Sequence, residues 1–257
     1  MSEFFIELFS EEIPANLQNK TRQDFFQNLK EFLEKEDIKY SGEAKAFSIP
    51  NRLIVYFQNI SKKITKKENE IRGPNINVPQ DALNGFLKSY KISIDKTYKK
   101  KTDKGEFYFF KKPSESIETK FVLQKNLPKI LDKTSWKKSM RWADHELYWG
   151  RPLKSILCCF DNKTLEFEYH HLVSSNITFI DKDFEQKTKK FVRFKDYLAF
   201  FRSQNIILDN KKREQFIVDQ LNRIAKKENL KIHFNSTLLN EAVSYTHLTL
   251  PTKEVVG

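Results

Sequence analysis

The sequence predicts an α+β fold, an antiparallel sheet with packed helices followed by a more helical portion. Three observations carry that expectation. Strand-like and helix-like segments are interspersed without the regular alternation of strand and crossover helix that a parallel sheet needs. The strand-like runs are rich in aromatic and β-branched residues. Two of them are separated by little more than Asp161, Asn162 and Lys163, a connection that suits a hairpin.

Along the chain, Phe4, Ile6 and Leu8 alternate with Phe5, Glu7 and Phe9, the period of two of a strand. Pro14 opens a helix in which Leu17, Thr21, Phe25, Leu29, Phe32 and Leu33 recur at helical spacing, ending near Asp37. Residues 52–60 follow the turn-forming Pro50 and Asn51 and read as a strand. After the charged stretch KKITKKENE, Ala82, Leu83, Phe86, Leu87 and Tyr90 make a short helical stripe. The segment YKKKTDKGEFYFFKK holds a turn signal at Asp103, Lys104 and Gly105, with an aromatic strand behind it. Residues 117–131 are spaced as a helix that Pro128 is expected to kink or split. Residues 153–160 and 165–169 are the two strands of the predicted hairpin. The last third is helical over 196–203 and 211–229, the latter with Ile217, Leu221 and Ile224 on its stripe. The polar segment 174–190 is the expected boundary. It divides a mixed body, 1–175, from a mainly helical continuation, 176–243.

The composition narrows the function. A formal charge of +12 makes a polyanionic partner plausible, because clustered Lys and Arg gain affinity by releasing counterions from phosphate. No run of about twenty apolar residues exists, and MSEFFIELFSEE places acids where a signal peptide needs bases. The expected location is cytoplasmic. The adjacent Cys158 and Cys159 point to opposite faces of a strand and read as small hydrophobes in a reducing compartment.

Enzyme signatures are missing: no GxxxxGK[ST], GxGxxG, GxSxG or HExxH is present. With 6 glycines in the chain, a phosphate cradle built from backbone is not expected. Glu11 and Glu12 precede a helix and read as complementing its dipole. His170 and His171 are adjacent and so face apart, and His145 lacks a second histidine at helical spacing; none is expected to bind metal. The basic features are more informative. Lys99, Lys100, Lys101 and Lys104 flank a turn, with Lys111 and Lys112 closing the aromatic strand, so a hairpin could present a cationic tip to phosphate. The plainer reading is a solvated loop that keeps an edge strand from aggregating. Lys129, Lys133, Lys137, Lys138 and Arg141 form a second basic cluster beside Trp136 and Trp142, where aromatics could stack on unpaired bases or simply fill the core.

Five strings, in order and at consistent spacing, resemble the beta subunit of bacterial two-subunit glycyl-tRNA synthetases. They are FFIELFSEEIPA at 4–15, IPNRLIV at 49–55, IRGPNI at 71–76, TDKGEFYFF at 102–110 and MRWADHELYWGRP at 140–152. SSNITF at 174–179 is a weaker likeness. The resemblance implies ligation of glycine to its tRNA by two alpha and two beta chains. The alpha chain would hold ATP, with Mg, and glycine, and the beta chain would bind and position tRNA. No cofactor would then bind this chain, and the fragment alone would be inactive.

Where that family continues with Gly-His-Arg-Phe, this sequence reads Phe179, Ile180, Asp181 and Lys182. The family's HD-type helical and anticodon-binding domains have no counterpart here. Residues 244–257 are expected to be a non-native tail: YTHLTLPTKEVVG is unlike the family and resembles translated sequencing-adapter DNA, the alternative being a short strand ended by Pro251. Arg52, Arg72, Arg141 and Arg151 are the candidate contacts to tRNA or to the alpha chain, since guanidinium forks suit phosphates and carboxylates. Each could equally anchor a structural salt bridge. The partners implied are the alpha subunit and glycine tRNA; the alternatives are a stand-alone basic RNA-binding module and a structural fragment that docks the alpha chain.

Overall fold

The computed structural model describes residues 2–66, 68–103, 105–182, 185–233 and 235–245. The chain forms two compact units, the second being Lys63–Glu118 and the first comprising the residues on either side of it. The first unit begins with β1 (Glu3–Ser10), α1 (Ala15–Lys35), β2 (Ala44–Ile49) and β3 (Arg52–Gln58). The second contains β4 (Lys63–Lys66), β5 (Asn69–Asn75), α2 (Gln80–Tyr90), β6 (Thr97–Thr102), β7 (Gly105–Lys112) and β8 (Glu115–Glu118). The first unit resumes with α3 (Thr119–Asp132), β9 (Leu153–Phe160), β10 (Lys163–Thr164), β11 (Glu168–Tyr169) and β12 (Leu172–Val173). It ends with β13 (Ile177–Lys182), β14 (Glu185–Lys190), α4 (Phe194–Ser203), α5 (Asn210–Lys227) and α6 (Ser236–Tyr245).

The first unit is built on a five-stranded antiparallel sheet in the order β10-β9-β1-β3-β2. This is the expected α+β arrangement. As the central strand, β1 is buried on both faces, from Phe4 to Ser10. Helix α1 covers one face, burying Leu17, Thr21, Phe25, Leu29 and Leu33, while Phe26 stacks on Phe57 at 5.6 Å. Helix α4 covers the other: Phe194 stacks on Tyr56 at 4.1 Å and Tyr197 packs against Phe5 at 5.8 Å. Burying each such side chain contributes about 1.5–3 kcal/mol, so the core sits in these two layers. Helix α1 stops where Asp37 turns left-handed, φ 54°, and Ile38 N–H donates back to Leu33 O at 2.8 Å. That pattern satisfies the last-turn carbonyls.

The hairpin turn lies where expected, but its second strand does not. Asp161 and Asn162 both have positive φ, 51° and 60°, as a two-residue turn joining twisted strands requires. β10 then ends at Thr164. Ser174 Oγ accepts from Phe167 N–H and donates to Leu165 O, so the expected strand over 165–169 bends away into the small β11-β12 hairpin. Pro128 lies inside one continuous α3; Leu123 and Leu127 before it and Ile130 and Leu131 after it are all buried, and that packing offsets the lost backbone bond.

Composition places a boundary at 174–190, but the chain divides after Lys62 and before Thr119. Strands β13 and β14 instead pair antiparallel within the first unit, with Thr178 buried and Phe179 stacked on Phe9 at 5.6 Å. Among its described residues, segment 176–243 therefore holds a strand pair followed by three helices. Arg213 of α5 is 1% exposed and ties α6 to the body, donating from Nε to Val243 O at 2.6 Å and from a terminal nitrogen to Ser48 O at 2.9 Å. Gln18 donates to Ser244 O at 3.1 Å, and Val243 and Ser244 are buried. Ser244 thus belongs to the packed body rather than to a tail. Tyr245 ends α6, and the rest of the expected tail, 246–257, lies outside the described residues.

In the second unit, β4 pairs with β8, and β5, β7 and β6 make an antiparallel sheet in that order. Lys-rich β6 is a strand because β7 offers it a full ladder from Thr97↔Phe110 to Thr102↔Gly105. Phe86 and Tyr90 of α2 pack on Phe110 at 6.1 and 5.2 Å. The register of β5 shifts between Arg72 and Asn75, where Pro74 has no N–H to donate. A side chain at Gly73 would meet the Phe86 ring at 2.8 Å, so the Arg-Gly-Pro string is a bulge fitted to α2. Among the described residues, no helix is long and apolar enough to cross a membrane.

Candidate nucleic-acid interface

The alternation of β6 and β7 sorts the lysines of the second unit. In the register Lys99↔Tyr108 and Lys101↔Glu106, Lys99 and Lys101 share one face of the sheet with Tyr108. Both are exposed, and among the described residues neither is drawn into an ion pair; Lys99 Nζ lies 6.0 Å from the Tyr108 ring. Lys100 points to the other face. There it pairs with Glu70 at 2.6 Å and lies 5.4 Å from the Phe109 ring. Lys100 and the Tyr98 hydroxyl hold the Glu70 carboxyl below its usual range, and the same hydrogen bond pushes Tyr98 up to about 12. Arg72 is exposed with its guanidinium 3.6 Å from the centre of the Phe107 ring. Lys111 and Lys112 are exposed at the end of β7. Lys104 lies outside the described residues. The tip is closed at Gly105, whose φ of +116° a side chain would disfavour.

The sequence expects a dense cationic tip. The sheet presents instead two differently used faces: Lys99 and Lys101 beside an aromatic ring on one, and Lys100 and Arg72 engaged with Glu70 and Phe107 on the other.

In the first unit, Lys129, Lys133, Lys137, Lys138 and Arg141 are all exposed. Their neighbouring tryptophans differ from one another. Trp136 fills the space beside Gly150, where an added Cβ would lie 2.0 Å from its ring, and it packs 5.1 Å from the buried Trp149. Trp149 is a core residue, and Trp136 is half-buried against it. Trp142 is half-buried and meets His145 and His171 edge-on. Arg151 is half-buried and donates to Gly150 O at 3.0 Å.

Arg52 is the exception among the candidates, for it does not reach the surface. It is 3% exposed, donates from Nε to Glu7 Oε2 at 3.1 Å, from one terminal nitrogen to Asn51 Oδ1 at 2.6 Å and from the other to Phe179 O. Glu7, fully buried, further accepts from Thr178 Oγ1 at 2.5 Å and from the Tyr197 hydroxyl. A buried carboxylate needs this many donors to remain charged. In the sequence Glu7 is one place in the strand alternation, and the lone acid between Phe5 and Phe9 is the signal of its burial.

Glu11 and Glu12 precede α1, which begins at Ala15, and Glu11 pairs with Lys154 at 2.7 Å rather than with the helix end. Cys158 and Cys159 are buried free thiols whose ionisation burial opposes, that of Cys159 rising to about 12. They are the expected small hydrophobes. Among the described residues no three His, Cys, Asp or Glu side chains are grouped to hold a metal ion.

Comparison with known proteins places these features in a family. Residues 4–252 match the model described as glycyl-tRNA synthetase beta subunit, a match that runs into the segment set apart as a tail. The chain is 35% identical over 243 residues to the glycine–tRNA ligase beta subunit of Rickettsia felis, covering 94% of this chain and 36% of that one. It is 34% identical over 251 residues to the protein of the same name from Rickettsia prowazekii, covering 97% and 37%. With the Rickettsia canadensis protein of that name, identity is 32% over 246 residues. The chain spans little more than a third of the length of these curated relatives.

Proposed function

The chain belongs to the glycyl-tRNA synthetase beta-subunit family, and on that premise we propose that it is an RNA-binding and assembly part of a glycine–tRNA ligase. Its role is to bind and position glycine tRNA, while the alpha subunit carries out ATP- and Mg-dependent glycylation. The observation that carries this reading is the face of the β6-β7 hairpin on which Lys99 and Lys101 stand exposed beside Tyr108. Ammonium groups without an internal partner are free to replace the counterions condensed on phosphate, which yields affinity without sequence selectivity. Arg72 and Arg141, both exposed, supply guanidinium forks for further phosphate contacts.

The test is equilibrium binding of a glycine tRNA transcript to the chain between about 50 and 200 mM salt. Affinity falling linearly on a log–log scale supports the reading; absent or salt-independent binding removes it.

A second reading, docking of the alpha chain, is favoured by apolar exposure in the first unit. Leu221 and Ile224 on α5 are 41% and 56% exposed, and Leu238 on α6 is 66% exposed. If docking is the whole role, capture by the alpha subunit survives charge reversal of Lys99 and Lys101 and is lost with Leu221→Glu and Ile224→Glu. A stand-alone RNA-binding module would instead bind RNA and never retain the alpha subunit.

A further inference from the structure

His145, in the loop between α3 and β9, and His171, in the β11-β12 turn, are far apart in the chain and meet face to face. Their ring centres are 3.6 Å apart and their planes differ by 6°. The turn explains the meeting. His170 takes φ 52° and directs its own ring to Tyr169, 4.8 Å away, with Nε2 3.9 Å from Asp132. His171 is thereby turned the other way, onto His145. Trp142 braces the stack, its ring meeting His145 at 6.3 Å and 72° and His171 at 5.8 Å and 78°. His171 nevertheless remains exposed and His145 is half-buried, so a flat aromatic stack braced from the side by Trp142 reaches the surface.

We propose that the His145–His171 stack, braced by Trp142, is a platform on which an unpaired nucleobase of RNA stacks. This rests on the RNA-binding reading above and assigns it a second, distinct contact. Metal binding does not suit the geometry, because parallel rings keep their nitrogen lone pairs in parallel planes that do not converge on one ion. A flat heteroaromatic ring does suit it, since it can extend a stack of parallel aromatic rings. Partial burial, and then the neighbouring His145 and His170, lower the His171 pKa and so favour its neutral form. The ligand's phosphates have partners close along the chain in the exposed Lys137, Lys138 and Arg141. Bases inside a duplex already stack on each other and present only their edges, so the platform selects unpaired nucleotides.

The experiment compares a short single-stranded oligoadenylate with a blunt RNA duplex, using the whole chain and its His171→Ala, His145→Ala and His171→Phe variants. Loss of one base–aromatic stack is expected to weaken oligoadenylate binding roughly ten-fold in His171→Ala and His145→Ala, with His171→Phe restoring it because a flat ring returns. Duplex affinity, carried by the lysines, is the reference. If His171→Ala binds oligoadenylate as tightly as the parent while both RNAs still bind, the platform is wrong and the RNA-binding reading stands. If His171→Phe is as weak as His171→Ala, the imidazole acts by hydrogen bonding and stacking is refuted. If the parent chain binds neither RNA, both readings fall.

Discussion

Glu7 at the centre of the sheet and Arg52 on the adjoining strand form an ion pair of 3.1 Å with side chains 0% and 4% exposed. Two charges removed from water are costly, and here the carboxylate is further served by Thr178 and Tyr197 and the guanidinium by Asn51, Phe179 O and the faces of Phe9 and Phe201. The four hydrogen-bonding partners come from the β2-β3 turn, β13 and α4, so the pair ties those elements to β1.

Removing one partner should cost far more than removing both. Arg52→Ala leaves Glu7 buried and uncompensated and is expected to lose roughly 3–5 kcal/mol of stability. The double variant Glu7→Leu with Arg52→Met should lose clearly less than the two single losses added. Urea unfolding of all four chains checks this, and additive losses would deny the coupling.

Tyr197 should set part of the alkaline limit. Burial, then the charge of Glu7, raises its hydroxyl well above the ordinary value of 10.0. The unfolded chain therefore gives up this proton first, and stability present below pH 10 is lost as pH rises above it. Tyr197→Phe should be weaker at pH 7 by roughly 1.5–3 kcal/mol, the worth of a hydrogen bond to a charged group, yet decline less steeply above pH 10. Unfolding curves at pH 7 to 11 on both chains would reveal it; parallel alkaline limbs would contradict it.

Arg213 should hold α6 in place. Burial lowers its pKa to about 10, with Arg22 adding to that effect and Asp209 opposing it, while its hydrogen bonds go to the backbone carbonyls of Ser48, Ile207, Leu208 and Val243. In Arg213→Met these lose their donor at about 1–3 kcal/mol for each buried group left unpaired. The amides of α6 should then exchange with solvent much faster than those of β1. Unchanged α6 protection would show that the helix is held by other contacts.

The fold is legible where one physical rule acts alone. β1, α1, α2 and β9 follow from periodicity, and the Asp161–Asn162 turn from the left-handed conformations such residues tolerate. β6 is legible only as the first arm of the expected hairpin, because its lysines carry no apolar signal of their own and its ladder is supplied by β7, in which the aromatic signal does appear. β2, with AKAFSI, is a short edge strand, and α6 a ten-residue helix secured by Arg213 and Gln18 from far along the chain.

The site is legible in part. The exposed Lys99 and Lys101 are found by charge, but charge does not separate them from Lys100, whose partner Glu70 lies on a strand the sequence does not announce. Nor does it separate Arg141 at the surface from Arg52 in the core, since a guanidinium serves phosphate and buried carboxylate alike. The His145–His171 stack depends on a turn and a loop that only the fold brings together.

The proposed RNA-binding role turns on Lys99 and Lys101, and their charge reversal tests it most directly. Binding of glycine tRNA should be followed across salt concentrations for the parent chain and for Lys99→Glu with Lys101→Glu. Each phosphate contact contributes about 0.7–0.9 to the log–log salt slope, so the double variant should bind more weakly and with a slope shallower by about 1.5. The same affinity and the same slope in both chains would contradict the account.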